Sequence, residues 1–136
     1  MPLTLTITEG VLTEGSEAQA IQELTDAMLE SHGLAGNSVM TPNITANLHI
    51  LNKNHTFSGG KPFSGVWVEW KVPSFAFSDR DIQLQYFKKA TDIIEKLSGY
   101  SHPRDNIYVN VVHAVDGAWN FDGIAMTNEQ IVQAIS

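Results

Sequence analysis

Apolar and polar positions alternate from the start of the chain. Leu3, Leu5 and Ile7 interleave with Thr4, Thr6 and Thr8, a period of two that places the aliphatics on one face of a strand, and Glu9-Gly10 closes it. The period then changes. Ala20, Ile21, Leu24, Ala27, Met28 and Ser31 recur at three- and four-residue steps opposite Glu17, Glu23 and Glu30, which predicts an amphipathic helix. Ser16 with Gln19 three residues on reads as its capping box, and Gly33 as its stop. After Gly36-Asn37-Ser38 and Pro42, residues Ile44 to Leu51 read as a second strand, and Lys53 to Pro62 as a hairpin or exposed loop. Val66 to Val72 is the clearest strand, with Val66, Val68, Trp70 and Val72 on one face and Trp67, Glu69 and Lys71 on the other. Ser78 with Asp81 reads as the cap of a second helix, whose stripe is Ile82, Tyr86, Phe87, Ala90, Ile93, Ile94 and Leu97 and whose stop is Gly99. Ile107 to Val112 is a fourth strand. Asp116-Gly117 turns into a short added strand at Ala118 to Phe121, and Thr127, with Gln130 three residues on, caps a terminal helix reaching Ile135.

The halves share one plan of strand, capped helix, glycine stop, loop and strand, repeated over about 1–60 and 61–136 of a single domain. Two β-α-β units with right-handed crossovers combine into one four-stranded sheet with both helices on one face. The expected class is therefore α+β, with an extra short C-terminal strand and helix. The uncovered sheet face, together with Trp119 and Phe121, is expected to pack against other subunits.

Composition narrows the chemistry. A chain of 136 residues can bury a core without staples, and the absence of cysteine removes disulfides, thiolate metal sites and cysteine nucleophiles. With a net charge of −7 and only 8 scattered Lys and Arg, the chain has no electrostatic footprint for nucleic acid or anionic lipid. No apolar run is long enough for a membrane span or a signal peptide, so a cytoplasmic protein without membrane partners is expected. His32, His49, His55, His102 and His113 show no metal-ligand spacing, and no metal or other cofactor is expected.

The candidate chemistry lies at the amino terminus. Pro2 directly follows the initiator and directly precedes the first strand. A proline is tolerated there simply as the first residue of a strand. If Met1 is removed, however, Pro2 becomes a secondary amine held on a rigid element, and an apolar pocket lowers the pKa of such an amine toward the working range of a base. Leu3, Trp67, Phe75, Phe77, Trp119 and Phe121 are candidate walls of that pocket.

Pro2 with the doubled strand-helix-strand plan resembles the tautomerase superfamily, whose members use an amino-terminal proline as base or nucleophile. Pro2-Leu3 with Thr8-Glu9-Gly10, the segment Ser78 to Lys96, and Asp116 to Phe121 resemble the malonate semialdehyde decarboxylase and cis-3-chloroacrylic acid dehalogenase branches. Ile107-Tyr108-Val109-Asn110 is similar to the strand by which macrophage migration inhibitory factor supplies a tyrosine and an asparagine to a neighbouring subunit's site. The resemblance implies a cofactor-independent homotrimer acting on a small 2-keto or enol acid, with Pro2 catalytic. A neutral Pro2 serves as base in a keto–enol tautomerase; a charged Pro2 serves as acid, as in the decarboxylase and dehalogenase branches.

The departures from the family pattern bear on that choice. The two arginines that hold a carboxylate in the decarboxylase branch align with Phe75 and Phe77, its acid with Ser38, and the dehalogenase histidine falls near Met28. Lys71 and Arg80 are the nearest cations, and Lys71 is the candidate carboxylate holder, although it reads at least as well as a solvated strand lysine paired with Glu69 or another acid. Tyr108 and Asn110 share a strand face and read either as donors to substrate or as packing at a subunit contact. Phe75, Phe77, Trp119 and Phe121 complete the candidate substrate-binding set and favour a less polar, even aromatic, 2-keto acid. Two further readings stay open: a lyase of the decarboxylase, dehalogenase or hydratase type on a 3-carbon acid, and a non-catalytic binding or assembly module on the same scaffold.

Overall fold

The computed structural model describes residues 1–136, and its element order follows the pattern above. Strand β1 (Pro2–Thr8), helix α1 (Glu17–Ser31) and strand β2 (Thr45–Leu51) form the first unit. A two-residue hairpin, β3 (Phe57–Ser58) with β4 (Lys61–Pro62), fills the connection, turning at Gly59-Gly60. Strand β5 (Val66–Pro73), helix α2 (Arg80–Leu97) and strand β6 (Ile107–Ala114) form the second unit. Strands β7 (Trp119–Phe121) and β8 (Ile124–Met126) form a hairpin before helix α3 (Asn128–Ile135); β8 has no counterpart in the sequence reading.

The main sheet has the order β2-β1-β5-β6. Each β-α-β unit contributes a parallel pair, and β1 meets β5 antiparallel, so the units are joined through their first strands. Leu3, Leu5 and Ile7 line up with Trp70, Val68 and Val66, and all six are buried on the face that carries both helices. They pack with Ala20, Leu24, Ala27 and Met28 of α1 and with Tyr86, Ala90 and Ile94 of α2 in one core. Each large aliphatic so buried contributes about 2 kcal/mol. The helix layer does not reach the outer strand: Leu48 and Ile50 of β2 face the same side yet are 41% and 52% exposed. The other face is open, with Thr4, Thr6, Asn47, His49, Trp67, Glu69, Lys71, Tyr108, Asn110 and Val112 pointing from it.

Two expected caps take another form. Ser16 heads α1, but its backbone is already helical and its hydroxyl turns back to the Thr13 carbonyl at 2.6 Å, while Gln19 bonds Glu23; the Ser16–Gln19 box does not form. Helix α2 is capped by Asp79, whose Oδ1 accepts from the N–H groups of Asp81 and Ile82, because the Ser78 hydroxyl is committed to the Phe75 carbonyl at 2.7 Å. The Thr127–Gln130 box forms as the spacing predicts. Gly33 and Gly99 follow α1 and α2 at φ +67° and +69°, the left-handed conformation that ends a helix and that glycine adopts without a Cβ clash.

Candidate functional site

Pro2 is the first residue of an interior strand, a position where its missing N–H removes no ladder bond from the strand body. Parallel pairing aligns the amino ends of β1 and β2, which sets Pro2 beside Thr45 and just past Asn43. The carboxy-terminal segment closes over the same end. Pro2, Met1, Asn43, Thr45, Ala118, Trp119 and Asn120 line one cleft of about 390 Å³. Met1 is 5% exposed, and its amine donates to the Asn43 carbonyl at 2.5 Å. Burial withdraws water from that amine and lowers its pKa from the ordinary 8.0 to about 6. No charged side chain lines the cleft.

Lys71 approaches Pro2 from the other neighbour. Leu3 pairs with Trp70, so the antiparallel register carried one residue further sets Pro2 beside Lys71 on the open face. Side chains so opposed have Cβ atoms about 5 Å apart. Lys71 is exposed and makes no salt bridge, whereas Lys88, Lys89, Lys96 and Arg104 are all paired with carboxylates of the helices.

The other sequence candidates separate. Trp119 shares the Pro2 cleft, but Phe121, two residues on, is turned into the core. Tyr108 lies at the far end of the open face, stacked on Trp67 with ring centroids 5.8 Å apart and planes 17° apart, and Asn110 stands opposite Glu69. Phe75 is half-buried in the loop after β5, and Phe77 is 1% exposed. Phe77 has φ +54°, a costly conformation for a residue with a side chain, and its surroundings hold it there. Its ring packs edge-on to His32 and Tyr86 at 4.7 and 5.0 Å, its N–H donates to His32 Nε2 at 3.0 Å, and its carbonyl accepts from Gln83. An N–H can only donate, so His32 Nε2 is unprotonated and Nδ1 carries the proton to the Met28 carbonyl. His113 Nε2, by the same logic, donates to the Ala76 carbonyl at 2.7 Å. Asn110 and Phe77 border a second cleft of about 390 Å³ with Arg80, Leu84, Phe87 and His113, on the far side of the sheet edge from Pro2.

Asn43, Thr45 and Asn120 escape sequence reading as site residues. The signal for the first two was available: in a parallel pair, residues entering the second strand must flank the start of the first. Asn120 lies in the Asp116 to Phe121 segment that carries part of the resemblance, but nothing in the sequence singles it out from its neighbours Trp119 and Phe121, and it arrives through the fold of the β7–β8 hairpin. No three His, Cys, Asp or Glu side chains converge as metal ligands.

No family model and no curated protein matches the sequence. Solved structures do match. Pt0534 inactivated by 2-oxo-3-pentynoate superposes with a TM-score of 0.74 at 16% identity, covering 96% of this chain and 98% of its own. FG41 malonate semialdehyde decarboxylase inhibited by 3-bromopropiolate gives 0.70 at 13% identity, with 98% and 96% covered. The chain has the fold of the tautomerase superfamily. A fused 4-OT that forms a symmetric trimer shares this tautomerase fold too, with a TM-score of 0.72 at 14% identity and 91% and 94% covered. At such identities the likeness establishes the tautomerase fold and leaves the reaction to be argued from the residues. No helix is long and apolar enough to cross a membrane.

Proposed function

We propose that this protein is a cofactor-independent keto–enol tautomerase acting on a small 2-keto acid, with Pro2, freed by excision of Met1, as general base. The observation that carries the reading is the position of Pro2 at the head of an interior strand, where it lines a cleft with no charged side chain; the adjoining Met1 amine is itself lowered by burial to about 6. An amine that sheds its proton near neutrality has a lone pair to use. In the proposed reaction the Pro2 nitrogen takes a proton from C3 of the keto acid, the C–H electron pair forms the C2–C3 double bond as the carbonyl π pair moves onto oxygen, and the protonated amine returns the proton to the enolate oxygen. Lys71 holds the carboxylate, and Thr45 and Asn120 supply uncharged hydrogen-bonding groups beside the reacting oxygen. The 2-oxo acid that inactivates Pt0534 supports this substrate class.

On this reading residues 1–136 act as one domain, in the cytoplasm, as a homotrimer; the trimeric fused 4-OT supports that assembly. Tyr108 and Asn110, distant from Pro2 of their own protomer, then serve a neighbour's site. The lyase reading is weaker because Phe75 and Phe77 stand in place of the aligned arginines and Phe77 is buried in the core. Intact mass should show Met1 absent, and Pro2→Ala should slow enol-to-keto conversion of an arylpyruvate at least about a hundredfold. Undiminished conversion by Pro2→Ala overturns the proposal.

A further inference from the structure

Met1 does two things at once. Its amine reaches into the Pro2 cleft, while its side chain is buried with the core residues. Alternation along β1 puts it on the helix side with Leu3, and the registers carried one residue further set it between Ile44, half-buried, and Val72, fully buried. Excision of Met1 therefore does more than uncover a nitrogen. It vacates a narrow apolar slot that opens on that nitrogen. Val72 is fully buried in the interior of the sheet, so the slot closes only in part, as truncated cores do.

We infer that the slot left by Met1 is the subsite for the substrate's apolar tail, and that it selects straight-chain 2-keto acids whose tail is about as long as a methionine side chain. This rests on the tautomerase reading, since the slot exists only once Met1 is gone. Lys71 stands on the open face, the slot lies on the helix side, and the Pro2 nitrogen sits between them at the strand end. A keto acid held at Lys71 by its carboxylate thus presents C3 to the nitrogen and extends its alkyl chain into the slot. The space was shaped around an unbranched chain, so branched and aromatic tails fit it less well.

The test is calorimetric titration of 2-oxobutanoate, 2-oxopentanoate, 2-oxohexanoate and 2-oxooctanoate into the processed wild type and into Pro2→Ala, which keeps the slot and exchanges the ring-held secondary amine for a primary one. Affinity should rise about fourfold per methylene up to 2-oxohexanoate in both proteins and then level off. Pro2→Leu, whose larger second residue prevents excision, should retain Met1 by intact mass and lose the dependence on tail length. Equal affinity across the series in wild type and Pro2→Ala overturns the slot, as does an undiminished length dependence with Met1 in place. If turnover collapses in Pro2→Ala while the series is flat, the base stands and the slot is rejected. If the series holds in both proteins while Pro2→Ala turns over normally, the slot stands and proline as the required base is rejected.

Discussion

Replacing Tyr86 by phenylalanine tests the joint that holds both helices to the strand carrying Lys71. Tyr86 is fully buried, its hydroxyl accepts from Trp70 Nε1 at 2.8 Å, and it donates to the Leu24 carbonyl of α1 at 3.1 Å. Burial pushes the phenol above its usual range, so it stays neutral and can perform both roles. Phenylalanine keeps the ring and its edge contacts with Trp70 and Phe77. The Leu24 carbonyl still has its intrahelical partner, but the indole N–H, a donor with no other acceptor at hand, is stranded in the core. A stranded buried donor costs about 1–3 kcal/mol, so Tyr86→Phe should lose about 2 kcal/mol of unfolding free energy. In a domain of this size that lowers Tm by roughly 7 °C. Urea denaturation followed by tryptophan emission gives the midpoint, with the slope unchanged. Combining it with Trp70→Phe should recover about 1 kcal/mol or more relative to the sum of the single losses, because no donor then remains to strand. A loss under about 0.5 kcal/mol for Tyr86→Phe, or strict additivity in the pair, refutes the argument.

Lys71→Gln should raise KM for 2-keto acids about tenfold with kcat little changed, and Lys71→Arg should restore it, as a charge-assisted contact near solvent would; an unaltered KM leaves Lys71 a solvated strand residue. Asp79→Ala should cost about 1 kcal/mol through loss of the α2 cap, and Ser78→Ala less than about 0.5 kcal/mol; the reverse order in denaturation midpoints contradicts the observed cap. Protein that retains Met1 should lose stability as pH falls from 8.0 to about 6, because across that window the unfolded chain binds a proton that the buried amine refuses. Below the lower value this contribution is fully lost and the trend flattens; a Tm that rises on acidification over the same window rejects the burial of that amine.

Chemistry confined to one stretch of chain was legible without coordinates. The alternation at Leu3, Leu5 and Ile7, the α2 stripe through Tyr86, Ala90 and Ile94, the stops at Gly33 and Gly99 and the Thr127–Gln130 box all depend on neighbours a few positions away, and the folded protein keeps them. The caps at Ser16 and Ser78 failed for a related reason. A hydroxyl has several acceptors within reach, and the loop before each helix turned it to a carbonyl, leaving Asp79 to serve α2.

The sequence by itself determined the elements of the doubled β-α-β plan, the buried faces of β1, β5 and the two long helices, and the place of Pro2 at the head of a strand, whereas β8 and the exposure of Leu48 and Ile50 on β2 came from the fold. Tertiary structure decided most of what stands next to Pro2, although a parallel β-α-β unit already implies that the start of β2 flanks it. Lys71 comes beside it through an antiparallel register between strands some sixty residues apart, Asn43 and Thr45 through the parallel crossover, and Trp119 through the closing hairpin, which at the same time sends Phe121 into the core. Phe77 goes to the core as well, in a backbone conformation that only its packed neighbours sustain. Local patterns record which face a residue presents. Which residues meet across the sheet is set by the register that buries the most apolar surface, a property of the whole chain.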